Sequence, residues 1–278
     1  MKFLKMQATG NDFIVIDGFR KKISGNFCNL AKKLCDRHFG IGADGLILIL
    51  PSKFSDFRMR IFNPDGSEAE MCGNGIRCAV KYAYEKKILK KKEVEVETLA
   101  GIIIPKLFIR KNSVYKVKVN MGKPKLAPND VPVLLDGEKI VNREIKLENE
   151  NIRITCVSMG NPHCVIFVKD VKNTDVKRIG KELENNSLFP NRTNVEFVEV
   201  IDKNNIKVRV WERGAGETLS CGTGACASVV AGVLNNLLNR FVNVYLPGGK
   251  LEIFYDKDEN IFLTGTAETV FEGKIVFE

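Results

Sequence analysis

Polar and apolar residues alternate along Arg58-Met59-Arg60-Ile61-Phe62-Asn63 and again along Lys207-Val208-Arg209-Val210-Trp211-Glu212, the period-two pattern of a half-buried strand. Short apolar runs at residues 13–16 and 164–168 also read as strands, and residues 93–98 and 151–157 add further candidates. After residue 75 the period changes. Ile76, Ala79, Val80 and Ala83 share one helical face, whereas residues 225–234 are apolar almost all round and predict a helix buried on every side. A strongly curved sheet around each helix satisfies that burial. Gly122, Pro124, Pro128, Pro132 and Gly137 break residues 112–149 as a crossover would, although strand-like pieces remain there.

These patterns occur in pairs. Gly10-Asn11 returns 150 residues later as Gly160-Asn161, each pair just before an apolar run, and Gly42-Ala43-Asp44 stands opposite Arg192-Thr193-Asn194 at the same offset. The alternating strand returns after 149 residues. Nine residues past Asn63 comes Cys72-Gly73-Asn74-Gly75, and nine past Glu212 comes Cys221-Gly222-Thr223-Gly224. The chain therefore predicts two α/β domains of matching design, divided near residue 118.

A length of 278 residues agrees with two cores. With 44% hydrophobic and 28% charged residues the composition is globular. No apolar run, residues 46–50 being among the longest, approaches the roughly 20 residues of a membrane span, and no signal-type hydrophobic region follows the basic N-terminus. The expectation is a cytoplasmic protein without a membrane partner. The net charge of +9 admits an anionic ligand or nucleic acid, but Lys86-Lys87 and Lys90-Lys91-Lys92 carry no interleaved aromatic ladder and read as solvated surface. Eight cysteines without any Cys-x-x-Cys, and only two histidines, argue against a disulfide scaffold and a structural metal site. Cys28, Cys35 and Cys156 are expected to be small buried apolar residues.

The paired cysteines carry the candidate chemistry. Each stands just before glycines that open a helix, where unpaired N–H groups and the positive end of the helix dipole favour an anion and lower a thiol's pKa. The same N–H groups can cradle a substrate carboxylate, with glycine permitting close approach. Two such helix starts across a cleft would set one sulfur on each face of an α-carbon: one thiolate removes the proton while the opposite thiol delivers another. N–H dipoles stabilise the intermediate carbanion, so neither metal nor cofactor is required. A lone Cys-Gly-x-Gly reads more simply as a buried thiol beside a tight turn. Duplication, with a polar residue nine positions upstream of each copy, favours the chemical reading.

At these residues the chain resembles the diaminopimelate epimerases. The resemblance rests on Ala8-Thr9-Gly10-Asn11-Asp12-Phe13, Asn63-Pro64-Asp65-Gly66-Ser67, Met71-Cys72-Gly73-Asn74-Gly75-Ile76-Arg77-Cys78, Met159-Gly160-Asn161-Pro162-His163, Trp211-Glu212-Arg213-Gly214 and Cys221-Gly222-Thr223-Gly224-Ala225-Cys226, and covers nearly the whole chain. It implies interconversion of LL- and meso-diaminopimelate, a step toward lysine and peptidoglycan precursors, without cofactor. It also implies an α+β fold of two pseudo-symmetric domains, each a curved, mostly antiparallel sheet wrapped around a central helix. The C-terminal strand then returns to the first domain, giving residues 1–117 with 263–278, and 118–262. A homodimer is implied likewise.

By the same resemblance Cys72 and Cys221 are acid and base, exchanging roles with direction, and Gly73, Asn74, Gly222 and Thr223 form the α-carboxylate cradle. Asn11, Asn63, Asn161, Asn194, Glu212 and Arg213 match the other substrate contacts, with Arg213 suited to a bidentate grip on the distal carboxylate. His163 and Glu212 match positions that tune the thiols and orient the substrate amine. Taken alone, His163 also reads as a satisfied structural histidine, Asn11 and Asn161 as turn residues, and Arg213 as a surface ion-pair partner. Gly45 stands where some relatives carry a substrate-touching glutamine, which leaves distal recognition less defined.

Two rivals remain open on the sequence. A proline or hydroxyproline racemase shares the two-cysteine logic, but its small cyclic substrate offers no distal head for Arg213 and four asparagines. A thiol redox protein would pair Cys72 with Cys221, though redox pairs usually sit close in sequence.

Overall fold

The computed structural model describes residues 1–20 and 23–276. The chain divides into two compact units, Met1–Asn120 with Thr264–Glu278, and Met121–Leu263. Among the described residues no helix is long and apolar enough to cross a membrane.

Unit 1 contains β1 (Lys2–Ala8), β2 (Asn11–Asp17), α1 (Phe27–Cys35), β3 (Gly45–Leu50), β4 (Phe57–Phe62), β5 (Glu68–Ala69), α2 (Gly73–Glu85), β6 (Val96–Thr98) and β7 (Gly101–Ile103), followed by the hairpin β8 (Lys106–Arg110) and β9 (Ser113–Asn120). The late strand β19 (Glu268–Lys274) pairs antiparallel with β1, so the sheet runs β19-β1-β2-β3-β4-β6-β7 with β5 beside β4. The candidate strand at 93–98 is shorter than its pattern suggests. Glu93 makes an isolated bridge to Lys106, and the ladder begins at Val96.

Unit 2 contains β10 (Arg143–Lys146), β11 (Asn151–Ser158), β12 (Pro162–Phe167), α3 (Val176–Glu184), β13 (Asn194–Asp202), β14 (Asn205–Glu212), β15 (Gly216–Thr218), α4 (Gly222–Leu234), β16 (Phe241–Leu246), β17 (Gly249–Tyr255) and β18 (Ile261–Gly265). Its strands run β10-β11-β12-β13-β14-β16-β17-β18 with β15 beside β14.

The repeat holds element by element. β1-β2 and β11-β12 pair antiparallel, β2-β3 and β12-β13 parallel, β3-β4 and β13-β14 antiparallel, and β4-β6 and β14-β16 parallel. Ladder register refines the pairing of positions. His163 lies beside Asn194 and Phe13 beside Gly45, so the counterpart of Asn194 is Gly45 rather than Asp44.

Each sheet curves around one helix and carries another outside. α4 touches β11, β12, β13, β14 and β17, and α2 touches β1, β2, β3, β4 and β9. In β12, Val165 joins the core around α4, while Cys164 and Ile166 join the core that includes Ile179 and Leu183 of α3. Strands covered on both faces lose their alternation, which is why these segments read as unbroken apolar runs. The one-faced reading of α2 is too narrow: every residue from Gly73 to Ala83 is buried, including Arg77 and Lys81. Their charges are accommodated by partners. Arg77 donates to Gly73 O, Thr266 O and Thr9 Oγ1, and Lys81 reaches Glu85 and Val114 O.

Cys35 and Cys156 are buried, but Cys28 lies exposed on the amphipathic helix α1, contrary to its expected burial.

Candidate active site

In each unit a cysteine caps the central helix. Cys72 takes an extended conformation, φ −142° and ψ 119°, and its Sγ accepts from Gly75 N at 3.4 Å; Cys221, at φ −119° and ψ 115°, accepts from Gly224 N at 3.4 Å. This is the geometry of a serine or aspartate N-cap with sulfur as acceptor. The first two N–H groups of each helix, on Gly73 and Asn74 and on Gly222 and Thr223, lie in the turn that has no intrahelical acceptors.

The strand ahead of each parallel pair brings an asparagine to that turn. Thr9 and Gly10, φ 51° and 83°, form a two-residue hairpin turn with positive φ at both positions, which delivers Asn11 to the start of β2. Asn11 Oδ1 accepts from Asn74 Nδ2 at 3.2 Å and from Cys72 Sγ at 3.9 Å, while its Nδ2 donates to Asp44 at 2.8 Å. Behind it Asp12 binds Lys5 at 2.6 Å and Arg37 at 2.8 Å. Burial pushes the Asp12 carboxyl up, but hydrogen bonds from Arg37 and Lys5 outweigh it and hold the carboxyl down at about 2. In unit 2 the turn holds Gly160 at φ 93°, and Asn161 Nδ2 donates to Thr223 Oγ1 at 3.3 Å, so the same strand-to-helix tie recurs.

Beyond that tie the halves differ. Thr223 Oγ1 lies 3.4 Å from Cys221 Sγ. His163 Nε2 faces Asn161 Oδ1 at 3.0 Å, and its Nδ1 faces Glu196 Oε1 at 2.7 Å, both His163 and Glu196 being 0% exposed. Glu212 accepts from the Thr218 hydroxyl across the β14-β15 hairpin. Burial raises the Glu212 carboxyl above the ordinary value; the Thr218 hydroxyl and Cys221 thiol oppose this, the Glu196 charge adds to it, and His163 opposes it. Cys221 is pushed well up by burial, then by the charges of Glu212 and Glu196, against weaker opposition from Thr223 and Gly224 N–H. The helix start alone would lower this thiol. Desolvation and two carboxyl groups reverse the sign, so Cys221 rests protonated near neutral pH.

The remaining expected residues are placed as follows. Asn63 is exposed in a turn, donating from N to Ser67 O at 2.8 Å and from Nδ2 to Ser67 Oγ at 2.9 Å. Asn194 is buried, and its amide is committed to the backbone: Nδ2 donates to Pro162 O at 2.8 Å and Oδ1 accepts from Arg213 N at 3.0 Å. Arg213 is exposed, with one contact from Nη1 to Asn191 O at 2.9 Å. Buried Glu184 supports this loop by accepting from Gly214 N at 2.8 Å and Trp211 Nε1 at 2.7 Å.

Glu184 and Glu196 were missed in the sequence reading, as were Asp44 and Thr218. A signal for Glu196 was available, since it is an acid that interrupts the apolar stretch from Val195 to Val198, in phase with Val198 of the core around α4. Among the described residues, two buried side-chain atoms have no hydrogen-bond partner: Asn74 Oδ1 and Glu196 Oε2. One belongs to each cysteine site.

Two units of one topology, each with a cysteine-capped helix inside its sheet, define a fold class that solved racemases and epimerases share. A probable proline racemase from Agrobacterium radiobacter K84, solved with bound carbonate, shares the fold at TM-score 0.75 with 17% identity, covering 100% of this chain and 93% of its own. A hydroxyproline epimerase from Agrobacterium vitis, solved with trans-4-hydroxy-L-proline, does so at 0.70 with 15% identity, covering 98% and 91%. Within this class the chain belongs to the diaminopimelate epimerase family, whose model matches residues 3–127 and 155–270. Diaminopimelate epimerases from Pelotomaculum thermopropionicum and Methanococcus maripaludis are each 50% identical to it; 99% of this chain aligns with 98% and 99% of theirs.

Proposed function

We propose that the chain is an isomerase that epimerises diaminopimelate between its LL and meso forms by two-base transfer of the α-proton, with Cys72 and Cys221 as the bases. The carrying observation is the repetition of one local geometry, a cysteine capping a glycine-opened helix buried in a curved sheet, in both halves of the chain. Inversion at a carbon needs one sulfur on each of its faces. Each unit supplies one.

The thiols begin with different partners. Cys221, a thiol, stands against Glu212, whose raised carboxyl is matched to take the thiol's proton when Cys221 acts as base. The first-turn N–H groups of α2 and α4 bind the α-carboxylate and stabilise the charge that moves into it as the α-proton leaves. Asn74 Oδ1, a buried acceptor without a partner, suits the substrate ammonium. Arg213, exposed and largely uncommitted, suits the distal carboxylate. The preference for diaminopimelate over proline rests on the 50% identity to enzymes of that name, against 17% and 15% to the cyclic-substrate neighbours. The active protein is a cytoplasmic homodimer in this reading.

The test is turnover of LL-diaminopimelate and of L-proline by the intact protein and by Cys72→Ala and Cys221→Ala. Diaminopimelate is epimerised, proline is not, and each alanine variant loses at least about a hundredfold in kcat, as removal of a general acid–base group does. Full activity in either variant contradicts the mechanism.

A further inference from the structure

The two halves share a backbone plan but not the side chains beneath their cysteines. In unit 2, β12 and β13 place His163 and Glu196 under the first turn of α4, and a Cβ built on Gly224 would lie 2.7 Å from Glu196 Oε1. In unit 1 the matching ladder positions on β2 and β3 are Phe13 and Ile47, and a Cβ on Gly75 would meet Ile47 Cδ1 at 3.3 Å. Where one half has an apolar contact, the other has a buried imidazole and carboxyl.

Hydrogen-bond roles constrain that pair. Asn161 gives its Nδ2 to Thr223, so the atom facing His163 Nε2 is an acceptor and Nε2 must carry a hydrogen. Nδ1 faces a carboxyl oxygen at 2.7 Å, and one proton lies between them. In either assignment of that proton the pair is neutral overall, the state that full burial favours. A continuous chain of contacts then runs from Glu196 through His163, Asn161 and Thr223 to Cys221 Sγ.

We propose that Glu196 is a positioning residue: by binding His163 Nδ1 it fixes the imidazole, and through Asn161 it holds the Thr223 hydroxyl against Cys221. The proposal rests on the reading of Cys221 as a base, and it makes that base the one with a built support, since Phe13 and Ile47 cannot form such a chain. Glu196 acts through His163, the residue it hydrogen-bonds, rather than on the sulfur itself.

The protein's two histidines make the test direct, because His38 is exposed and His163 buried, so in a ring-15N-labelled sample the slowly exchanging imidazole signals come from a single ring. In the intact enzyme the proton shared between His163 Nδ1 and Glu196 resonates far downfield, as protons in short hydrogen bonds do. Glu196→Ile, which copies the first half, removes that resonance and lowers kcat by about 10–100-fold, the usual cost of losing an outer-shell partner, with KM little changed. Glu196→Gln removes the shared proton: the neutral imidazole keeps its Nε2 hydrogen for Asn161 and accepts the glutamine amide at Nδ1, so the resonance is lost here too and kcat falls between the other two. If Glu196→Ile does not fold, the glutamine variant decides alone: a retained resonance, or kcat equal to that of the intact enzyme, overturns the proposal. Loss of thermal stability with kcat unchanged in either variant also overturns it, since that is the behaviour of a packing residue. Failure of the two-cysteine mechanism is separately visible as full activity in Cys221→Ala.

Discussion

At the scale of single residues, location relative to a helix does not decide the charge state of a cysteine. Cys221 sits at a helix start and still titrates high, because burial and the neighbouring Glu212 and Glu196 outweigh the N–H groups. Its alkylation by iodoacetamide, followed by peptide mass spectrometry, therefore stays slow through neutral pH and accelerates only in alkaline solution. Glu212→Gln removes one opposing charge and shifts that acceleration to lower pH and, on the proposed role of Glu212 as the thiol's proton acceptor, lowers kcat by about 10²-fold or more. Asp12 shows the opposite balance. Its folded value of about 2 lies below the ordinary 3.8, so its stabilisation is complete above the ordinary value and is lost as pH falls toward 2. The difference corresponds to about 2 kcal/mol. Asp12→Asn, which also leaves Lys5 and Arg37 without their carboxylate, destabilises the protein by at least that order at pH 7, and less at pH 3, in denaturant titrations.

At the scale of elements, the sequence was most legible where both halves repeat. The offset of 149 to 150 residues identified the paired strands, the two helices and the cysteines that cap them, because those features depend on local period and on residues adjacent in the chain. What was illegible depends on side chains that meet across strands. Glu196 reads as an ordinary acid until β13 is laid beside β12 and His163 faces it. Arg77 reads as the polar face of a helix until Thr9 and the Thr266 carbonyl are seen to enclose it. Asn194 also ties the Pro162 carbonyl to the Arg213 N–H, a link that no local pattern encodes. The outer helices are equally specific. A Cβ on Gly180 of α3 would stand 2.6 Å from Trp211 Cβ, an atom fixed to β14 one residue before Glu212. Gly180→Ala should gain up to about 1 kcal/mol of helix propensity and lose about 1–3 kcal/mol to overpacking. The expected result is a lower melting temperature by calorimetry with an accompanying fall in kcat.

At the scale of the whole molecule, duplication supplies two equivalent scaffolds, and divergence makes the two sites unequal. Each unit has the same ladder and the same capped helix, yet in unit 2 the charges of Glu212 and Glu196 act on the sulfur, and Glu196 pairs with the buried His163. The late strand β19 pairs with β1 at the edge of the first sheet, a pairing that no periodicity in residues 268–274 announces. The central claim is that two different thiols act on one α-carbon. Its most direct test is epimerisation of LL-diaminopimelate in heavy water, stopped at low conversion, with the isotope at the α-carbon read by mass spectrometry in substrate and product separately. A two-base relay gives product carrying α-deuterium while the recovered substrate remains protiated. Product that retains its original proton, or substrate that exchanges as fast as product forms, would mean that a single base serves both faces.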